Sequence, residues 1–113
     1  MLNNLPTYSE MLTGSLLLDT AIQSILKRIP TGDQIDFMNM TEEQFTEGAH
    51  FSLGVDIRND LGLWKPNSAL ATWFASNGVA EPDDMCDIIF TCVYRKIMAR
   101  EIDLEEQLEK FQD

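Results

Sequence analysis

Between Glu81 and Arg100 the chain carries an apolar pattern that leaves little choice of fold. Met85, Ile88, Ile89, Cys92, Val93 and Ile97 recur at three- and four-residue spacing, the period at which helical side chains share a face. Phe90 and Tyr94 widen this arc well beyond a single face, so the helix needs neighbours on several sides. The pattern predicts a central helix over about 82–100. Glu81-Pro82-Asp83-Asp84 opens it, because proline loses nothing in a first turn whose N–H groups are unpaired and carboxylates favour the positive end of the helix dipole. Arg95, Lys96 and Arg100 stand at the opposite, negative end.

The rest of the chain repeats the helical period, and strand alternation is hard to find. From Pro6 to Ile29 the residues Leu18, Ile22, Ile25, Leu26 and Ile29 form a stripe, with an interruption expected at Gly14 and a stop at Pro30-Thr31-Gly32. A loop should follow, its Ile35, Phe37, Met38 and Met40 pinned to the core, with Gln34–Phe37 readable as a short extended piece. Thr41-Glu42-Glu43-Gln44 has the form of a capping box for a helix running to Leu61, with a break expected at Gly48. Leu53, Ile57 and Leu61 mark its inner face, Phe51 and Val55 broaden it, and Gly62 suits a left-handed cap. Leu70, Trp73 and Phe74 belong to a short helix between Asn67 or Ser68 and Asn77-Gly78. Asp103 caps a last helix over Leu104–Phe111, with Leu104, Leu108 and Phe111 as its stripe. The expected fold is all-α: a single domain over residues 1–113, of five or six helices, ending in an acidic helix at 101–113.

Composition restricts the function classes. With 113 residues and 44% hydrophobic side chains the chain suits one domain with a proper core. Nineteen acidic residues against eight basic ones leave a net charge of −11, which opposes binding to nucleic acid or to an anionic membrane, both polyanions. Cys86 and Cys92 stand six residues apart on one helix, too far along its axis to pair, and read as free buried thiols. Met1–Leu18 lacks the charged start and long apolar run of a signal peptide, so a cytoplasmic location is expected.

Catalytic signatures are scarce. His50 is the only histidine, no nucleophile elbow or phosphate-binding glycine loop is present, and both cysteines lie on an apolar face that disfavours a thiolate. His50 with Asp56, Asp60 and the carboxylates of Glu81–Asp87 could in chemical terms ligate a divalent ion, but the lone histidine beside Phe51 reads better as a hydrogen-bonding group. Capping likewise accounts for Asp83, Asp84 and Asp87 without a general acid. No cofactor, metal or catalytic residue is expected.

The most distinctive stretch is Gly48–Trp64, with Arg58 and Asn59 inside an apolar-periodic helix. His50, Phe51, Leu53, Gly54, Ile57, Arg58, Asn59, Gly62, Leu63 and Trp64, then Leu70 and Phe74, then Pro82-Asp83-Asp84-Met85 with Ile88 and Ile89, resemble the pattern of a small domain family of unknown function from bacterial and phage genomes. The resemblance spans 48–97. It departs from the pattern at Val55-Asp56 and Asp60-Leu61, and it implies a fold unit and a bacterial or phage origin but no mechanism. On the residues themselves, Arg58 should pair with Asp83 or Asp84 across two packed helices, with Asn59 and His50 completing a polar cluster.

Two functions follow as expectations. In the first, the chain is an acidic, non-catalytic interaction protein that binds and blocks a protein partner with a basic surface, as an inhibitor or immunity protein would, against a nucleic-acid-handling protein for example. Glu101, Asp103, Glu105, Glu106, Glu109 and Phe111 are its candidate contact residues, since the segment from Glu101 alone carries −5 of the −11. On this reading the tail is an appendage whose deletion costs binding before it costs the fold. The second expectation is a ligand- or metal-binding domain or an enzyme built on His50, Arg58, Asn59, Asp83 and Asp84. Self-association as a homodimer through Ile35–Met40 is a further expectation.

Overall fold

The computed structural model describes residues 8–65 and 68–112, with side chains from Leu16 onward. Six helices are described: α1 (Tyr8–Arg28), α2 (Thr31–Phe37), α3 (Glu42–Asp60), α4 (Ala69–Ser76), α5 (Pro82–Ile97) and α6 (Leu104–Glu109). There is no strand among the described residues. The chain is a single all-α domain organised round α5, whose residues from Ile88 to Tyr94 are buried without exception. No helical period can bury seven consecutive residues against one neighbour, and α5 is accordingly packed by α1, α2, α3 and α4, most extensively by α3. Among the described residues no helix is long and apolar enough to cross a membrane.

The surrounding helices present the stripes that their spacing dictates. On α1, Leu18, Ala21, Ile22 and Ile25 are buried, followed by Ile29 just past its end. The helix runs unbroken through Gly14, since one glycine costs only about 1 kcal/mol within a long helix. The same holds for α3, which continues through Gly48. Its capping box forms as expected: Gln44 N–H donates to Thr41 Oγ1 at 3.1 Å, and Thr41 N–H donates to Gln44 Oε1 at 2.9 Å.

The inner face of α3 is Phe45, Ala49 and Ile57, with Leu53 half-buried. Phe51 and Val55 do not broaden this face. They are 92% and 60% exposed, because each stands two residues, about 200° of helical turn, from a core position. The 31–40 region also differs from expectation. It forms the short helix α2 rather than a loop or extended piece, and Ile35, Met38 and Met40 point to solvent. Only Phe37 turns inward, its ring 5.0 Å from Phe45, which in turn lies 5.5 Å from Tyr94. The Tyr94 hydroxyl donates to the Met40 carbonyl at 2.5 Å and ties the α2–α3 connection to the central helix.

Helix ends fix the entry angles. After α3 and after α4 a glycine with positive φ, Gly62 at +62° and Gly78 at +86°, reverses the chain. In each case the next residue donates back to the helix: Leu63 N–H to Arg58 O at 3.0 Å, Val79 N–H to Phe74 O at 2.9 Å. Both of those next residues are buried. The end of α5 uses the same reversal without a glycine. Ala99 takes φ +55° and Arg100 N–H donates to Arg95 O at 2.8 Å, which stops α5 at Ile97, short of the expected Arg100.

The segment after α5 is not an appendage. Gln107 and Leu108 are buried, Leu104 and Phe111 pack partly on the core, and Gln107 Nε2 donates to Ile102 O at 2.6 Å. Gln112 Nε2 donates to Asn77 O at 2.6 Å and lies over Gly78, where a Cβ would come within 2.8 Å of its side chain. Deletion of Glu101–Asp113 would therefore uncover core.

Two unfolding measurements check this account. Leu108→Ala should lower stability by about 2–3 kcal/mol, whereas Glu109→Ala should change it by under about 0.5 kcal/mol. Ala99→Gly should raise it by about 0.5–1 kcal/mol, the relief of left-handed strain less the added freedom of the unfolded chain. Urea denaturation followed by circular dichroism reads both.

Candidate functional site

The polar residues singled out in the sequence lie along the antiparallel seam of α3 and α5. Pairing runs in one register: Glu42 of the first turn of α3 meets Arg95 near the end of α5, His50 meets Asp87 two turns on, and Arg58 meets Asp83 where α5 begins. The two arginine pairs also set charges against helix ends of suitable sign: Glu42 and Asp83 stand in first turns, Arg95 and Arg58 in last turns.

Glu42–Arg95 is the best-formed level. Arg95 Nε donates to Glu42 Oε1 at 2.7 Å and Nη2 to Oε2 at 3.2 Å, while Nη1 donates to the Ile102 carbonyl at 2.6 Å. A further carboxylate oxygen, of Glu106, lies 3.5 Å from Nη2. One guanidinium thus joins α3, α5, the following loop and α6, using the planar fork that lysine lacks. The Arg95 hydrogen bond holds the Glu42 carboxyl below its usual range against an opposing effect of burial, and Glu42 in return raises Arg95.

The five residues of the expected cluster are not brought into one site. Arg58 pairs with Asp83, as expected, and not with Asp84. His50 goes instead to Asp87, Nε2 to Oδ1 at 3.5 Å, with its ring edge-on to Phe90 at 5.2 Å. Asn59 turns to the other side of α3, where Oδ1 accepts from Trp64 Nε1 at 3.1 Å. Asp84 is half-buried in the first turn of α5. The reason is helical geometry: 50, 58 and 59 span more than two turns of α3, so short side chains cannot converge. Among the described residues no three His, Cys, Asp or Glu side chains are grouped to hold a metal ion. Cys86 and Cys92 are free and buried, and burial pushes both thiols up to about 11, so neither is a ready nucleophile at neutral pH.

The candidate residues of the tail divide in the same way. Asp103 caps α6, accepting from Glu106 N–H at 3.4 Å, and Glu106 faces Arg95. Phe111 packs partly on the core. Glu101, Glu105 and Glu109 remain exposed and make no ion pair among the described residues. Glu105 and Glu109 border a groove of about 540 Å³ between α4 and α6, floored by Trp73, Leu104 and Leu108.

Sequence reasoning missed Arg95 and Gln107 as organising residues. Gln107 had a signal: with Leu104, Leu108 and Phe111 it completes the i, i+3, i+4, i+7 face of the last helix, which places it inward despite its polarity. Arg95 had none beyond its place next to Tyr94, because Glu42, the carboxylate it grips, stands 53 residues away.

Residues 17–97 match the family described as a domain of unknown function (DUF6794). The chain belongs to this family. The DUF6794 stretch starts in α1, before the 48–97 core read from the sequence, and stops with the last residue of α5. It therefore takes in α5 together with the helices α2, α3 and α4 and much of α1, while α6 lies beyond it. No curated protein and no solved structure matches the chain.

The Glu42–Arg95 pair gives a pH test. Because Glu42 titrates lower in the folded chain than its unfolded value of 4.5, its contribution is complete above that value and disappears as pH falls through the folded one. Glu42→Gln should therefore cost about 1 kcal/mol at neutral pH and progressively less below 4.5. Urea unfolding of both proteins across pH measures this; an undiminished gap in acid would refute the assignment.

Proposed function

We propose that the chain is a non-catalytic protein-binding module, encoded by a bacterium or phage, that acts in the cytoplasm by occupying a basic surface of a partner protein. The observation that carries this reading is the division of labour among its polar residues. His50, Arg58, Asn59 and Asp83 are engaged in separate contacts along α3, whereas Glu101, Glu105 and Glu109 face solvent with no cation opposite them among the described residues. Free carboxylates at the surface of a chain of net charge −11 speed encounter with a positive partner and repel polyanions. A helical body whose candidate polar residues are held in separate contacts acts by occupancy, as inhibitors and immunity proteins do. The two free, buried thiols are in keeping with a reducing compartment.

Affinity capture from a bacterial lysate tests it. The immobilised chain should retain a basic protein at low salt and release it at high salt, because exposed charge pairs are screened within a Debye length. Retention should fall about tenfold when Glu101, Glu105 and Glu109 are replaced by Gln. Capture that survives both high salt and these substitutions would overturn the reading.

A further inference from the structure

We infer that the groove between α4 and α6 is a docking site for a basic amphipathic helix of a partner protein. The inference rests on the protein-binding reading above and names its surface. Its floor is apolar, with half-buried Trp73 on one wall and Leu104 and Leu108 on the other. Its volume, about 540 Å³, falls within the roughly 300–1,000 Å³ of clefts that hold ligands. The open side is bordered by Glu105 and Glu109, four residues apart and so on one face of α6, and no cation among the described residues lines the groove.

The walls are held in place. Trp73 packs against Phe74, ring centroids 5.1 Å apart. The Gln112–Asn77 hydrogen bond closes one end at 2.6 Å, and the Asp103 cap with the Gln107–Ile102 bond sets the other. α6 is thus docked before any partner arrives, and a bound helix meets a formed groove.

Charge selects the occupant. A second copy of this chain brings another −11, and an anionic lipid surface or nucleic acid is repelled for the same reason. A helix with one apolar stripe and flanking lysines or arginines satisfies both the floor and the rim: its apolar side chains cover Trp73 and Leu104, and cations at i, i+4 meet Glu105 and Glu109. The α4 wall of the groove lies within the residues matched by the family and the α6 wall beyond them.

Trp64 and Trp73 are the two tryptophans, and Trp64 is exposed elsewhere, bonded to Asn59. In full-length protein carrying Trp64→Phe, Trp73 is therefore the sole tryptophan reporter. A synthetic leucine–lysine amphipathic helix should give a saturable blue shift of Trp73 emission. A leucine–glutamate helix and a lysine–serine peptide of equal charge should give none. Glu105→Lys with Glu109→Lys should weaken binding by about tenfold or more, and Glu43→Lys with Glu47→Lys, exposed on α3, by less than about twofold. If the double lysine variant fails to fold by circular dichroism, the Gln versions at 105 and 109 carry the comparison. A silent Trp73, or equal weakening by both pairs of substitutions, overturns the groove. Salt-labile capture of a basic protein alongside a silent Trp73 would place recognition on another acidic face and leave the binding reading standing. Salt-insensitive capture alongside a responsive Trp73 would keep the groove and remove the electrostatic reading.

Discussion

All-round burial of α5 is the constraint on which the rest of this structure depends. Seven consecutive buried residues, Ile88–Tyr94, require packing on every side, and each of α1, α2, α3 and α4 supplies part of it. The hydrophobic effect rewards this burial but does not set direction, since apolar surface is interchangeable along a helix. Direction comes from the seam with α3. Glu42 with Arg95, His50 with Asp87 and Arg58 with Asp83 form only when the two helices run antiparallel in one register. A shift by one turn would leave the Arg95 guanidinium, which is 12% exposed, without its carboxylate; stranding a largely buried charge costs far more than the intact pair contributes.

This use of polar residues bears on function. His50, Arg58, Asn59 and Asp83 make contacts that set geometry, and burial keeps the cysteines as thiols. Carboxylates outnumber cations among the exposed charged groups without an ion pair among the described residues, and those beside the α4–α6 groove adjoin the apolar surface of Trp73 and Leu104. Exposed carboxylates without an ion pair among the described residues occur both on the family's helical unit, as at Glu43 and Glu47, and on the segment that follows it, where Glu105 and Glu109 adjoin the groove.

That following segment joins the fold through two different kinds of contact. Leu108 and Gln107 bury against the core, Gln107 filling a polar need between the Ile102 carbonyl and Cys92 Sγ, which lies 3.5 Å from its Nε2. Arg95 and Gln112 then fasten its two ends, to Ile102 and to the carbonyl beside Gly78. Its charge excess and its structural role coexist because one face of a helix as short as α6 can be apolar while the opposite face remains in water.

Much of this was legible in the residues. The period of 85–97 placed the central helix, the Thr41–Gln44 box and the Asn67-Ser68 step placed helix starts, Gly62 and Gly78 placed reversals, and the pairing of Arg58 was narrowed to Asp83 or Asp84, of which the structure uses Asp83. Local patterns carry such information because capping, period and backbone freedom act within a few residues. Phe51 and Val55 misled because apolar side chains near a stripe look like part of it until the helix axis is fixed. Arg95 was silent because its partner Glu42 stands 53 residues away in sequence, whereas the inward place of Gln107 could be read from the period of the last helix. The sequence by itself determined that the chain is helical, where most helices begin and end, and that it is acidic. Only the tertiary structure decided which polar groups are consumed and which stay free, because that depends on which distant helices meet and in what register.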